Sequence, residues 1–210
     1  MEARDANVLR AIRFERPDRI PMTFAINAAC WHHYDQEALK DLMESHPVLF
    51  PGYVRPRGEV RPQYLLNAVA GKPYIDPWGC EWRTSDDGIT GAVLGHPLES
   101  WEAFAGYRPP DPEKTDGTYP VDWASVARAA EAARREGRLV RGGLPHGHTF
   151  LRLQDIRGYA AFCMDMADDS PNVTRLIAMV EEFNVRFVEK WMALRPDIFG
   201  YGDDLGMQVG

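Results

Sequence analysis

Residues 169–204 read DSPNVTRLIAMVEEFNVRFVEKWMALRPDIFGYGDD, and the reading of this stretch decides the fold. Ser170 can cap a helix, Pro171 suits the first helical position, and Pro196 stops the far end. Val173, Ile177, Val180, Val188 and Trp191 fall largely on one stripe, joined by Leu176, Phe183, Phe187 and Leu194. This spacing predicts a long helix with one buried face. DIFG then reads as a buried strand, and two adjacent carboxylates, Asp203 and Asp204, follow it.

A strand behind a helix calls for another strand ahead of it. LVRGGLP, 139–145, provides one, ending in glycines. The stretch between, FLRLQDIRGYAAFCMDMADD, carries one or two short helices. Upstream, DWASVARAAEAARREGR, 122–138, predicts a helix with Asp122 as N-cap and Gly137 just past its end. Nearer the N-terminus, a helix is predicted over 3–14, a buried strand over IPMTFAI, 20–26, and a helix over about 35–45. The regular part therefore runs strand, helix, strand, helix, strand, which implies parallel strands with helical crossovers. An open doubly wound sheet and a (β/α)8 barrel both satisfy it, and both bind ligands at the C-terminal strand ends. RGGLPHG matches neither the dinucleotide fingerprint nor a P-loop, which weakens the nucleotide-binding option.

Residues 46–120 differ. Prolines and glycines are dense there, with aromatic and β-branched residues between them. CEWRT and ITGAVLG, separated by SDDG, predict a β-hairpin. The stretch reads as an irregular excursion within a single domain spanning 1–210.

Net charge is −7, from 31 acidic and 24 basic residues, which argues against nucleic acid and anionic membrane as partners. No apolar run reaches the roughly 18 residues of a membrane span, and the charged N-terminus lacks a signal-peptide core, so a cytoplasmic protein is expected. Cys30, Cys80 and Cys163 are far apart and form no CxxC, which suggests reduced thiols.

Candidate site residues lie just past the predicted strands. Asp203 and Asp204 could hold a substrate proton, although carboxylates in such loops also cap helices and start turns. His146 and His148, in PHGHTF, sit on a glycine-flanked loop and could direct two imidazoles to one ligand; two do not make a zinc site. Asn27 and His32, with His33 beside it, follow the first predicted strand and are candidate polar contacts, against the alternative of a solvated helix start. Trp78 could stack on a planar ligand or simply fill the core.

Several segments together resemble the uroporphyrinogen decarboxylase superfamily: NVLRAIRFERPDRIPM, DPWGCEWR, GHPLESWEAFAGYRPPDP, RLQDIRGYAAFCMDMADDSPNVTRLIAMVEEF and GYGDDLGMQ. The resemblance implies a (β/α)8 barrel, here about its first three strands. A complete barrel typically needs about 250 residues, so a chain truncated at its C-terminus is expected. Asp76, in YIDPWGC, matches the region of the decarboxylase's catalytic aspartate, and Asp-Pro is also an ordinary turn starter. The decarboxylase's arginine-rich segment after the first strand is replaced by FAINAACWHHY, with no arginine between Arg19 and Arg55. That departure counts against tetrapyrrole decarboxylation, and DPWG and GDDLG resemble the methyltransferase-type members, which move a methyl group between a corrinoid protein and a small acceptor. In that branch a zinc ion, bound by a His-x-Cys pair and a later Cys, activates the acceptor. No His-x-Cys occurs here, so no metal ligand is assigned and zinc is expected only in a missing C-terminal half. Tetrapyrrole decarboxylation is the alternative. A third reading is a non-catalytic partial barrel that closes its edge by pairing with a second copy.

Overall fold

The computed structural model describes residues 3–22 and 24–205. The fold is mixed α/β; among the described residues there are seven α-helices and two small sheets, neither closed into a barrel. The helices are α1 (Ala3–Ile12), α2 (Ala28–His33), α3 (Gln36–Ser45), α4 (Trp123–Arg135), α5 (Phe150–Arg157), α6 (Tyr159–Ala167) and α7 (Pro171–Ala193). The strands are β1 (Tyr74–Ile75), β2 (Glu81–Arg83), β3 (Ala92–Gly95), β4 (Arg141–Gly143) and β5 (Ile198–Gly200). No described helix is long and apolar enough to cross a membrane. The chain divides into two compact units, one of Ile75–Glu81 with Val93 onward, the other running to Tyr74 and including Trp82–Ala92. Strands β1, β2 and β3 form one sheet in that order. The expected hairpin partners, β2 and β3, are neighbours in it.

In the first unit the helix of the quoted stretch is α7. Its buried residues are Val173, Leu176, Val180, Phe183 and Phe187, spaced alternately by three and four, as one helical face requires. That face meets α5, α6 and β4. Trp78 and Phe183 make an edge contact at 5.1 Å, and Trp123 lies 5.1 Å from Phe187 and 5.7 Å from Trp191. Before β4, α4 starts on Asp122, whose side chain accepts from Ala124 N–H. It ends with Gly137 in the left-handed region: Gly137 N–H donates to Arg134 and Arg138 N–H to Ala133, the Schellman arrangement.

Strands β4 and β5 pair in parallel, with Arg141 opposite Ile198, Gly142 opposite Phe199 and Gly143 opposite Gly200. The glycines are there for proximity. A Cβ on Gly142 would sit 2.6 Å from the Trp191 ring, and one on Gly143 would sit 2.7 Å from the Gly200 carbonyl oxygen. Asp197 accepts from Val140 N–H at 2.8 Å and so ties the entry of β5 to that of β4.

In the second unit, α3 starts on Asp35, which caps Ala38 N–H. Lys40 is buried, with its ammonium on Glu37 and the Gly58 carbonyl, both at 2.6 Å. The buried strand expected over 20–26 is not formed at its described residues. Ile20, Met22 and Phe24 are exposed, and no described strand pairs with the run. Apolar composition favours a strand only where a ladder partner satisfies the backbone.

Candidate active site at the ends of β4 and β5

Because β4 and β5 are parallel, their C-terminal ends open in the same direction, and both continue into polar loops. The loops are joined by hydrogen bonds from Leu144 N–H to Gly200 and from Gly147 N–H to Gly202, each 3.0 Å. These contacts bring His146, His148, Tyr201, Asp203 and Asp204 to one end of the sheet.

Asp203 faces the start of α5. It accepts from Thr149 and Phe150 N–H at 2.9 and 2.6 Å with one oxygen, and from Leu151 and Asp204 N–H at 3.2 and 3.0 Å with the other. Thr149, the residue at the cap position, makes no side-chain cap bond. Its hydroxyl is engaged by His148 Nδ1 at 2.7 Å and by Asn184 Nδ2 at 3.2 Å. Asp203 therefore caps α5 from a distant part of the sequence. Burial works to raise its pKa, but the Phe150, Leu151, Thr149 and Asp204 N–H groups outweigh burial and hold it below the ordinary carboxylate value. Of the two adjacent carboxylates, Asp203 positions backbone and Asp204 faces outward.

Asp204 Oδ1 lies 3.4 Å from His146 Nε2, both side chains being 67% exposed. His148 is turned away, its ring 6.3 Å from Tyr201 and its carbonyl accepting from Asn184 at 3.0 Å. The two imidazoles thus have separate partners. Among the described residues no group of three or more His, Cys, Asp or Glu could hold a metal ion.

Asp76 and Trp78 lie in the core of this unit. The Asp76 side chain is fully buried: Oδ1 accepts from Trp78 and Cys80 N–H at 2.9 and 3.0 Å, and Oδ2 from Arg152 Nη1 at 2.7 Å. Arg152, on α5, also donates to Thr118 Oγ1 at 2.8 Å. Burial, the largest single influence, disfavours the Arg152 charge, but Asp76 together with Cys80 and Asp155 outweighs it and raises the pKa. Tyr107 donates to the Trp78 carbonyl at 2.7 Å; burial raises its pKa and that of the Cys80 thiol, which leaves that thiol unreactive. Trp78 is 2% exposed and fills core.

Arg152, Thr118, Tyr107 and Asp155 escaped the sequence reading. The available signal was FLRLQDIR, where Arg152 falls with Leu153 and Ile156 among the buried residues of α5. A charge on an apolar face needs a buried partner. Asp155, one turn on, lies 3.9 Å from Arg152. Burial pushes its pKa up to about 6, with Arg152 opposing and Asp76 adding to the rise.

Asn27 and His32 belong to the other unit. Asn27 caps α2 by accepting from Cys30 N–H at 2.8 Å. His32 is exposed, edge-on to His33 at 4.7 Å and to Tyr64 at 6.2 Å.

Compared with family models, curated proteins and solved structures, the chain matches none.

Proposed function

We propose that β4 and β5 are neighbouring strands of a (β/α)8 barrel of the uroporphyrinogen decarboxylase type, and that their shared end is the site of corrinoid-linked methyl transfer to a small acceptor. The observation that carries this reading is the His146–Asp204 pair on the loops beyond two parallel strands, where barrel enzymes keep their chemistry. A methyl acceptor with an O–H, S–H or N–H must lose a proton. His146 takes it as general base, and Asp204 stabilises the imidazolium that forms. Asp203 holds the rigid start of α5 beneath them. The methyl-corrinoid is a co-substrate brought by a partner protein. The described residues do not supply a zinc site, so no step is assigned to zinc.

The decarboxylase alternative needs free cations for an anionic tetrapyrrole. Arg55, the first arginine after the replaced segment, is taken by Asp41, Glu37 and Glu44 at 2.6 to 2.7 Å. Asp76, the expected catalytic carboxylate of that reaction, is enclosed and paired with Arg152.

The test follows loss of methylcobalamin absorbance with a panel of thiols, phenols and amines. His146→Ala is expected to lower kcat/KM by about 10²- to 10⁴-fold without loss of folding, since the side chain is exposed. Equal rates for the variant and the parent would overturn the assignment.

A further inference from the structure

His146 has a role in the proposed reaction and His148 has none. His148 does not join the His146–Asp204 pair; its Nδ1 lies 2.7 Å from the Thr149 hydroxyl oxygen. Which of its two nitrogens carries the proton follows from Asn184, on α7. The Asn184 amide nitrogen lies 3.0 Å from the His148 carbonyl oxygen and 3.2 Å from Thr149 Oγ1. A carbonyl can only accept, so this end of the amide is its NH2 group. One hydrogen goes to the carbonyl and the other to Thr149 Oγ1.

Thr149 Oγ1 thus receives one hydrogen, and its own O–H needs an acceptor. Among the described residues the one in reach is His148 Nδ1, since the hydroxyl makes no cap bond to α5. The opposite arrangement would aim two donors at Oγ1 and leave the hydroxyl hydrogen without a protein partner. With Nδ1 accepting, the neutral imidazole carries its proton on Nε2. Nε2 has no hydrogen-bond partner among the described residues and, unlike Trp191 Nε1, is not enclosed. A half-buried ring held at one nitrogen therefore presents a fixed N–H donor at the other.

We propose that His148 donates from Nε2–H to an oxygen of the small substrate bound at this strand end, and that Thr149 and Asn184 are the positioning residues that fix its tautomer. This rests on the reading of the strand end as a methyl-transfer site, and it narrows the acceptor to one that carries an oxygen besides the atom to be methylated. A carboxylate oxygen would be repelled by Asp203 and Asp204, so the fitting class is a neutral hydroxyl, ether or carbonyl.

Long-range proton–nitrogen correlation spectra of the isotope-labelled full chain are expected to show His148 with a pyridine-type Nδ1 and a pyrrole-type Nε2. Thr149→Ser keeps the hydroxyl and should keep that pattern. Thr149→Val should shift Nδ1, and it leaves α5 capped because Asp203 supplies the cap. Mercaptoethanol and propanethiol then serve as acceptors that differ in a hydroxyl against a methyl. Mercaptoethanol is expected to move the His148 Nε2 signal saturably. In the methylcobalamin assay its KM is expected to be about three- to tenfold below that of propanethiol, at similar kcat. His148→Phe, which keeps a ring beside Tyr201, should erase that ratio; Thr149→Val should reduce it and Thr149→Ser retain it. A pyrrole-type Nδ1 in the parent would overturn the proposal, as would equal KM values or the absence of a saturable Nε2 shift. A saturable shift without methyl transfer to either thiol would overturn the reaction and retain His148 as the donor.

Discussion

At the residue scale the Arg152–Asp76 pair dominates. Both charges are out of water, each with the other as its main compensation, so removal of one leaves the other stranded. Arg152→Met is expected to destabilise by about 3–5 kcal/mol, and the double variant with Asp76→Asn by less than the two single losses combined; urea denaturation of the four proteins checks both. Two other carboxylates should respond to pH in opposite directions. The Asp203 pKa is lower folded than unfolded, so its stabilisation is complete above the unfolded value of about 3.9 and is lost as pH falls through the folded value. Asp203→Asn should remove that acid sensitivity and about 0.5–2 kcal/mol of capping. The Asp155 pKa is higher folded, about 6. Between about pH 4 and 6 the unfolded chain has released this proton and the folded chain retains it, so stability falls as pH rises. Asp155→Asn should flatten that part of the profile, a difference of roughly 2–3 kcal/mol by the upper end. Denaturation midpoints measured from pH 3 to 7 separate the two effects, and parallel profiles for parent and variants would refute both.

Elements were legible where their ends carry chemical signals. Asp35, Asp122 and Gly137 stand where helices α3 and α4 begin or end, and Pro171 and Pro196 bracket α7. Periodicity selects the buried face of α7, apart from Ile177, Val188, Trp191 and the C-cap residue Leu194, which remain partly exposed. What sequence could not show is pairing. The 20–26 run has the composition of a strand, but composition does not supply a ladder. The sequence marks Asp203 as a strand-end carboxylate; that its lone pairs belong to N–H groups of Thr149, Phe150 and Leu151 depends on contacts across more than 50 residues. Local rules do not reach that far. The elements also set a prediction of their own. Gly143→Ala places a methyl 2.7 Å from the Gly200 carbonyl and must separate β4 from β5. A loss of about 1–3 kcal/mol is expected, together with faster amide exchange at Leu144, whose N–H donates to that same carbonyl. Unchanged exchange there would argue against the pairing.

At the scale of the whole molecule the two units differ in apolar content. Of the buried apolar side chains among the described residues, only Phe50 and Ala68 lie in the second unit. The rest, including Leu176, Val180 and Phe183 on α7, lie in the first. Burial is what makes opening costly, so the second unit should exchange its amides in mild urea before α7 does. Equal protection in both would contradict this. The Asp203 cap has one more consequence, in time. Phe150 and Asp203 are 53 positions apart. At synthesis rates of about 5–20 residues per second, roughly 3–10 s pass between the two on the ribosome. The eight residues of α5 are too few to sustain a helix alone. The nascent chain therefore carries an unfinished α5 for seconds, and it is the arrival of one late carboxylate that closes it.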